Sequence, residues 1–261
     1  MNNFSDEVAA RVDGNGSDSA LQAGARSFLL ESLRTQYSYN FSWLGRPVIQ
    51  YPQDIVAMQE LIWRVQPDLI IETGIAHGGS LILSASMLEL NAACGGNPDA
   101  RVLGIDIDIR SHNREAIIAH PMSRRIDMIQ GSSIAPDVID KVKSHAAGRE
   151  RVLVCLDSNH THNHVLAELE AYAPLATADS YCIVFDTVVE DIPKALVGDR
   201  PWGPGDNPKT AVHEYLRRVA IEGRTAADGQ SLRFEIDKSV ENKLLVTVAP
   251  DGYLRRVAST A

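Results

Sequence analysis

The 261-residue sequence is poor in cysteine, has no long apolar run and carries no excess of positive charge. Its three cysteines, Cys94, Cys155 and Cys182, do not suggest a disulfide framework, and two of them lie in apolar runs. We therefore expect core thiols in a reducing, cytoplasmic compartment. No run reaches the roughly 18–20 apolar residues of a membrane helix, and the first residues do not resemble a signal peptide. A net charge of −9 argues against nucleic-acid binding.

The remaining composition is that of a folded enzyme-sized chain. A hydrophobic fraction of 44% and a charged fraction of 23% are ordinary for a globular domain. Residues 1–20 are rich in Gly, Asn, Ser and Asp, which predicts a flexible, loosely attached arm. Residues 21–66 carry helical spacing at 21–35 and 54–66 around an aromatic loop, and they are expected to form a cap on the domain at 67–258.

Strand and helix patterns alternate along residues 67–258. This alternation predicts an α/β fold with a doubly wound, mostly parallel Rossmann-like sheet and an antiparallel C-terminal strand. Two apolar runs, Leu232–Ile236 and Lys243–Val248, close the sheet. The predicted parallel strands are Leu69–Glu72, Val102–Ile105, Ile126–Ile129, Val152–Leu156 and Tyr181–Phe185.

Each of these five strands ends in a polar cluster. Ligands of doubly wound sheets bind beyond the carboxyl ends of the strands, so these clusters are the candidate site. The clusters are Glu72–Gly74, Asp106–Asp108, Gln130–Ser133, Asp157–His160 and Asp186–Thr187.

The first cluster opens a glycine-containing loop, ETGIAHGGS at 72–80. Its spacing of Gly74, Gly78 and Gly79 is not the G-x-G-x-x-G dinucleotide fingerprint. The loop therefore indicates either a nucleotide-like ligand or a tight turn from strand to helix. Asp106, 32 residues after Gly74, can accept hydrogen bonds from ribose hydroxyls. It can instead cap the next helix, a task for which Ser111 and Asn113 also compete.

Asp157, His160 and Asp186 form the candidate catalytic and metal group. Two facing carboxylates repel unless a proton or cation lies between them, which favours a Mg²⁺-type site. His160 is the candidate base. The alternatives are that His160 hydrogen-bonds a helix start and that Asp186 caps a turn. Glu190 or Asp191 is a candidate further ligand, whereas His162 and His164 point in alternate directions and are discounted.

At these residues the chain resembles the cephalosporin-hydroxylase-like family of S-adenosylmethionine-dependent O-methyltransferases. Rhamnosyl and macrolide-sugar O-methyltransferases resemble it more distantly. The similarity runs from about Tyr37 to Arg256. It includes YNFSWLGRPVIQYPQDIVAMQELI at 39–62, PDLIIETGIAHGGSLI at 67–82, GIDIDIR at 104–110, LDSNHTHNHVLAELEAYAPL at 156–175, VFDTVVEDIP at 185–193, WGPGDNPKTAV at 202–212 and ENKLLVTVAPDGYLRR at 241–256.

The resemblance implies S-adenosylmethionine as cofactor, with its ribose at Asp106, its adenine near Ser132 and Ser133, and Asp108 as a further cofactor-binding residue. It also implies Mg²⁺ at Asp157 and Asp186, with Asp157 shared by cofactor and catalysis. Relatives often have Glu-Asp where this chain has Phe185-Asp186, so a ligand is missing. Either Glu190 or water would fill that position, or the site would work without metal. The methionine end would lie on Glu72, Thr73, Gly74, His77, Gly78, Gly79 and Ser80.

The expected reaction is methyl transfer to a hydroxyl of a small sugar or natural-product acceptor, with His160 as base. The segment Glu190–Lys209, which contains Trp202, is a candidate lid. In the loop Tyr37–Tyr51, Tyr39 and Trp43 would either stack on an acceptor or serve packing or an oligomer contact. A homo-oligomer is expected. Two alternatives stay open: an NAD-dependent oxidoreductase on a sugar nucleotide, and a non-catalytic cofactor-binding partner of a hydroxylase.

Overall fold

The structure is a computed structural model that describes residues 2–258. Two helices begin the chain, α1 (Asn2–Ser17) and α2 (Ser19–Arg34), and they are joined through Asp18, which caps α2 with its side chain. The segment expected to be a loosely attached arm is thus largely helical. It touches the body of the protein at the C-terminal part of the chain, where the Asn15 side chain donates to the backbone oxygen of Asn242 at 3.3 Å.

A short hairpin and a helix follow. The strands β1 (Phe41–Trp43) and β2 (Arg46–Val48) pair antiparallel. Helix α3 (Pro52–Val65) has its proline in the first turn and buries one apolar face, as its spacing predicts.

The central sheet has seven strands in the order β5-β4-β3-β6-β7-β9-β8. The strands β3 to β7 run parallel, and β9 is antiparallel to both of its neighbours. The expected fold is therefore confirmed, with the antiparallel C-terminal strand inserted between β7 and β8. The strands are β3 (Leu69–Thr73), β4 (Arg101–Asp106), β5 (Ile126–Gln130), β6 (Val152–Leu156), β7 (Tyr181–Val184), β8 (Phe234–Ile236) and β9 (Tyr253–Arg256).

Helices cover both faces of this sheet. The alternation of β3 shows the division: Ile70 packs into the core beneath α3 and α4, whereas Leu69 and Ile71 pack into the core beneath α6, α7 and α9. Burial on both faces explains why the strands are continuous apolar runs. The remaining helices are α4 (Gly79–Ala93), α5 (Ser111–Ile118), α6 (Pro136–Ala146), α7 (His162–Tyr172), α8 (Lys194–Val197), α9 (Pro208–Glu222) and α10 (Lys238–Leu244).

None of the helices within residues 2–258 is both long enough and apolar enough to span a bilayer.

The expectation that Lys243–Val248 closes the sheet is wrong. Its first two residues end α10, and the rest is irregular, while β9 at Tyr253–Arg256 takes the place in the sheet. The reason is Asp54 on α3. Its carboxylate accepts the backbone N–H of Val248 at 3.0 Å and the hydroxyl of Thr247 at 2.5 Å. A side chain, not a neighbouring strand, therefore accepts the backbone N–H of Val248.

Candidate active site

The glycine loop after β3 is packed tightly on two neighbouring backbones. Gly74 has φ of +91°, and a Cβ atom on it would overlap the carbonyl oxygen of Asp157 at the end of β6. A Cβ atom on Gly79, the first residue of α4, would overlap the carbonyl oxygen of Pro47 in β2. Only glycine allows such an approach. The loop therefore lies directly between the sheet edge and the hairpin.

Asp106 anchors this loop. One carboxylate oxygen accepts the backbone N–H of Ile75 at 2.8 Å and that of Ala76 at 3.3 Å, and the other accepts the N–H of Asp108 at 3.0 Å. Helix α5 begins after Arg110 and has no side-chain cap, so Asp106 is not a helix cap. Asp106 and Asp108 line a cavity of about 310 Å³ beside the loop.

Two further side chains hold the loop: Arg46, which the sequence did not single out, and Asn113, which was expected only as a helix cap. The Arg46 Nε donates to the backbone oxygen of His77 at 3.0 Å, and one of its Nη atoms donates to the Asn113 side chain at 3.0 Å. Asn113 in turn donates to the backbone oxygen of Ala76 at 2.9 Å. Arg46 lies inside the block that carries the resemblance, but no spacing rule connects it with residue 77.

The structure brings Asp157, His160 and Asp186 together. One ligand atom from each lies within 4.8 Å of the others, and His160 Nε2 is 3.4 Å from Asp186 Oδ2. Asp186 begins a short turn in a left-handed conformation, but its side chain does not cap that turn. Burial, followed by the nearby charge of Asp186, raises the pKa of Asp157 well above its usual range. The group has the composition of a divalent-cation site.

Glu190 is not part of this group. Its carboxylate accepts the backbone N–H of Gly205 at 2.7 Å and the side-chain amide of Asn207, so it holds the segment Glu190–Lys209 together. Phe185 is buried in the core and offers no ligand. His162 bonds to Thr210, as expected for a residue that does not face the site.

A cavity of about 570 Å³ opens in front of the three groups. Trp202, from the candidate lid, packs against the His160 ring in an edge-to-face arrangement, with 4.8 Å between the ring centroids. Tyr39 lines the cavity and is half exposed, whereas the Trp43 indole donates to Ser86 at 2.9 Å and is a packing residue. Site residues on the cavity wall are Gly74, His77, Gly79, Ser80, Asp157, His160 and Asp186.

The other sequence-predicted residues lie outside this wall. Glu72 is buried, accepts a hydrogen bond from Ser84 and, with Thr73, lines a small cavity behind Gly74. Burial raises the pKa of Glu72. Ser133 is buried and contacts His164 Nε2 at 3.1 Å. Gly78 ends the turn before α4 with φ of +82°. Ser132, like Ser133, lines none of the three cavities at this edge.

With this geometry established, comparison with known proteins identifies the family. The family model described as rhamnosyl O-methyltransferase/CmcI matches residues 35–257. The chain belongs to the rhamnosyl O-methyltransferase/CmcI family. The resemblance drawn from the sequence is thereby confirmed, and with it the expectation of an O-methyltransferase.

Individual relatives agree with the family match. A rhamnosyl O-methyltransferase of Mycobacterium bovis is 32% identical over 209 residues, which is 78% of this chain and 73% of the relative. One from Mycobacterium leprae is 28% identical over 221 residues, 82% of each chain. Among solved structures, a CmcI chain with Mg and SAM has a TM-score of 0.54 at 19% identity and covers 84% of this chain and 78% of its own. That likeness shows the shared fold.

Proposed function

We propose that the chain transfers a methyl group from S-adenosylmethionine to a hydroxyl of a sugar or glycosylated natural product, assisted by Mg²⁺. One observation carries the proposal: in a chain of this family, Asp157, His160 and Asp186 converge on one cavity directly beside the glycine loop. An NAD-dependent oxidoreductase is less well supported, because the glycines lack the dinucleotide spacing.

The residues of this edge fit the cofactor. Gly74 and Gly79 let the loop pack on Asp157 and Pro47 and also line the cavity. The loop leads into the N-terminus of α4, where backbone N–H groups favour a carboxylate. Both carboxylate oxygens of Asp106 already accept hydrogen bonds from backbone amides, but a carboxylate offers about four acceptor positions. It can therefore still accept from ribose hydroxyls in the cavity that it lines.

The residues also fit Mg²⁺. Asp157 and Asp186 would hold Mg²⁺ through carboxylate oxygens, which are the ligands that this ion prefers. Because bound Mg²⁺ usually keeps several waters, water can take the position for which Phe185 offers no carboxylate. Held by these carboxylates, Mg²⁺ would supply a Lewis acid that lowers the pKa of an acceptor hydroxyl.

This chain's own residues would do three things. The two carboxylates would orient the acceptor hydroxyl, and the glycine loop would fix the methyl donor in line with it. His160 would take the hydroxyl proton at a ring nitrogen. Trp202 and the segment Glu190–Lys209 would close the cavity and exclude water.

A binding and turnover experiment tests the proposal. We expect calorimetry to show that S-adenosylhomocysteine binds the wild-type protein, and mass spectrometry to show one added methyl group on a rhamnoside acceptor. Asp157→Ala should lose turnover, whereas Asp140→Ala, on the outside of α6, should not. A wild-type protein that binds no S-adenosylhomocysteine would contradict the proposal.

Two further expectations belong to the proposal. Cys94, Cys155 and Cys182 are unpaired, which supports a reducing, cytoplasmic location. A homo-oligomer is supported by Val56 and Trp63, which are each 52% exposed, seven residues apart on one face of α3. Light scattering of the purified chain, with Trp63→Glu as the comparison, tests the second point.

A further inference from the structure

Gln50 is a buried side chain at the cavity that the proposed reaction does not yet use. It lies between β2 and α3, is 8% exposed, and lines both the large cavity and the small one behind Gly74. Its Nε2 donates to Asp157 Oδ2 at 3.4 Å. Its Oε1 is fully buried and has no hydrogen-bond partner among residues 2–258.

The chemistry of Asp157 fixes which way this amide points. The amide nitrogen faces Asp157 Oδ2 at 3.4 Å, and the carboxylate of Asp157, when it is ionised, can only accept a hydrogen bond. The oxygen is therefore directed away from Asp157. A buried acceptor left without a donor is unfavourable, and native structures rarely keep one without a reason.

The residues on either side of Gln50 are held in place by close packing. On one side, Pro47 and Val48 rest on Gly79. On the other side, Tyr51 is fully buried and its hydroxyl bonds to Ser32 at 2.7 Å. Because Gln50 lines the cavity, a molecule that enters it can supply the donor that the amide oxygen lacks.

The surroundings of Gln50 are rich in carboxyl groups. The same cavity edge carries Asp157 and Asp186, and buried Glu72 and Asp54 lie behind it. Gln50 Oε1 and Asp157 together offer a neutral and an anionic acceptor beside Gly74. Such a pair suits the several N–H donors of an ammonium group better than a single hydroxyl.

We propose that Gln50 binds the α-ammonium group of the amino-acid end of the methyl donor, together with Asp157. This assignment rests on the proposed function, because it assumes S-adenosylmethionine in the cavity. Gln50 would then both orient Asp157 and select a donor that carries an intact amino-acid end.

Calorimetry with two probes tests the assignment. S-adenosylhomocysteine carries the ammonium group, and 5′-methylthioadenosine lacks the whole amino-acid end. We expect Gln50→Leu and Gln50→Ala to lower the affinity for S-adenosylhomocysteine by about tenfold or more, as for a lost hydrogen bond to a charged group. The affinity for 5′-methylthioadenosine should not change, and thermal melting should show that both variants remain folded.

Gln53→Ala is the matched control. Gln53 lies on α3, also has a buried amide oxygen without a partner among the described residues, and lines neither cavity. Its replacement should leave both affinities unchanged. An unchanged S-adenosylhomocysteine affinity in the Gln50 variants, or an equal loss for both probes, would overturn the assignment. If the wild-type protein binds neither probe, the proposed function itself fails, before any variant is compared.

Discussion

His160 Nε2 lies 3.4 Å from Asp186 Oδ2, and Trp202 packs against the same imidazole ring. A carboxylate on one strand end and an indole from the segment Glu190–Lys209 thus fix a histidine that follows another strand. The imidazole is held at the cavity wall, next to Asp157, where a substrate hydroxyl can reach it. This arrangement is the basis for the role of base assigned to His160.

Replacing His160 separates proton transfer from cofactor binding. His160→Gln should lower the rate of methyl transfer by roughly 10²–10⁴, the usual contribution of a positioned base. The affinity for S-adenosylhomocysteine should stay the same, because His160 is not part of the glycine loop. His145→Gln, at the end of α6, serves as the control and should be fully active. A His160 variant with the wild-type rate would refute the role of base.

The role of Asp157 and Asp186 as metal ligands can be tested by measuring metal binding, independently of activity. Asp157→Asn and Asp186→Asn should each weaken the binding of Mn²⁺, a paramagnetic probe for Mg²⁺, by at least tenfold in electron paramagnetic resonance titrations. Each change removes one of the two carboxylates that face the cavity.

Glu190→Gln is the informative comparison for that titration. Glu190 is a carboxylate close in sequence to Asp186, but it holds Gly205 and Asn207 instead of facing the group. The variant should bind Mn²⁺ like the wild-type protein and should be cut faster by trypsin within the segment Glu190–Lys209. Weakened Mn²⁺ binding would show that Glu190 is a ligand after all.

Close packing at Gly74 predicts a severe effect of a single methyl group. Gly74→Ala should destabilise the fold by about 2 kcal/mol or more and abolish binding of S-adenosylhomocysteine, because the Cβ atom overlaps the Asp157 backbone. Gly148 has a similar φ of +77° but open space around it. Gly148→Ala should therefore lower the free energy of unfolding by only about 1 kcal/mol, from backbone strain alone. Equal losses in urea unfolding would contradict the steric explanation.

The raised pKa of the buried Asp54 carboxyl predicts that the stability of the protein depends on pH. Burial raises its pKa from 3.8 to about 6, despite hydrogen bonds from Thr247, Val248 and Tyr253. A carboxyl whose pKa is higher in the folded state holds its proton longer there. Its contribution to the free energy of unfolding therefore falls as pH rises from about 4 to about 6, by about 3 kcal/mol for a shift of roughly two units.

Asp54→Asn removes this titration. In urea unfolding at pH 4, 5, 6 and 7, the stability of the variant relative to wild type should improve by about 3 kcal/mol across the series. A constant difference at all four pH values would show that Asp54 has an ordinary pKa.

The sequence was sufficient for the parallel part of the fold. Runs such as Val152–Leu156 are buried on both faces, and the carboxylates at their ends follow directly from where those runs stop. Asp157, His160 and Asp186 could be brought together in advance because parallel strands end at one edge of a sheet.

Other features depend on contacts between distant residues. Lys243–Val248 has the composition of a strand, but Asp54, some 194 residues earlier, takes its backbone N–H. Glu190 follows Asp186 closely in the sequence, but its carboxylate accepts a hydrogen bond from Asn207 instead of facing the site. The orientation of Gln50 is set by Asp157, at a separation of 107 residues. No local pattern records any of these three pairings.

A crystal structure with S-adenosylhomocysteine and Mn²⁺ would show where the methyl donor and the metal bind. We expect the ligand along the Gly74–Ser80 loop, with its sulfur facing His160 and an anomalous peak for the metal at Asp157 and Asp186. A ligand bound elsewhere on the protein, or a cavity without ligand at saturating concentration, would contradict this expectation.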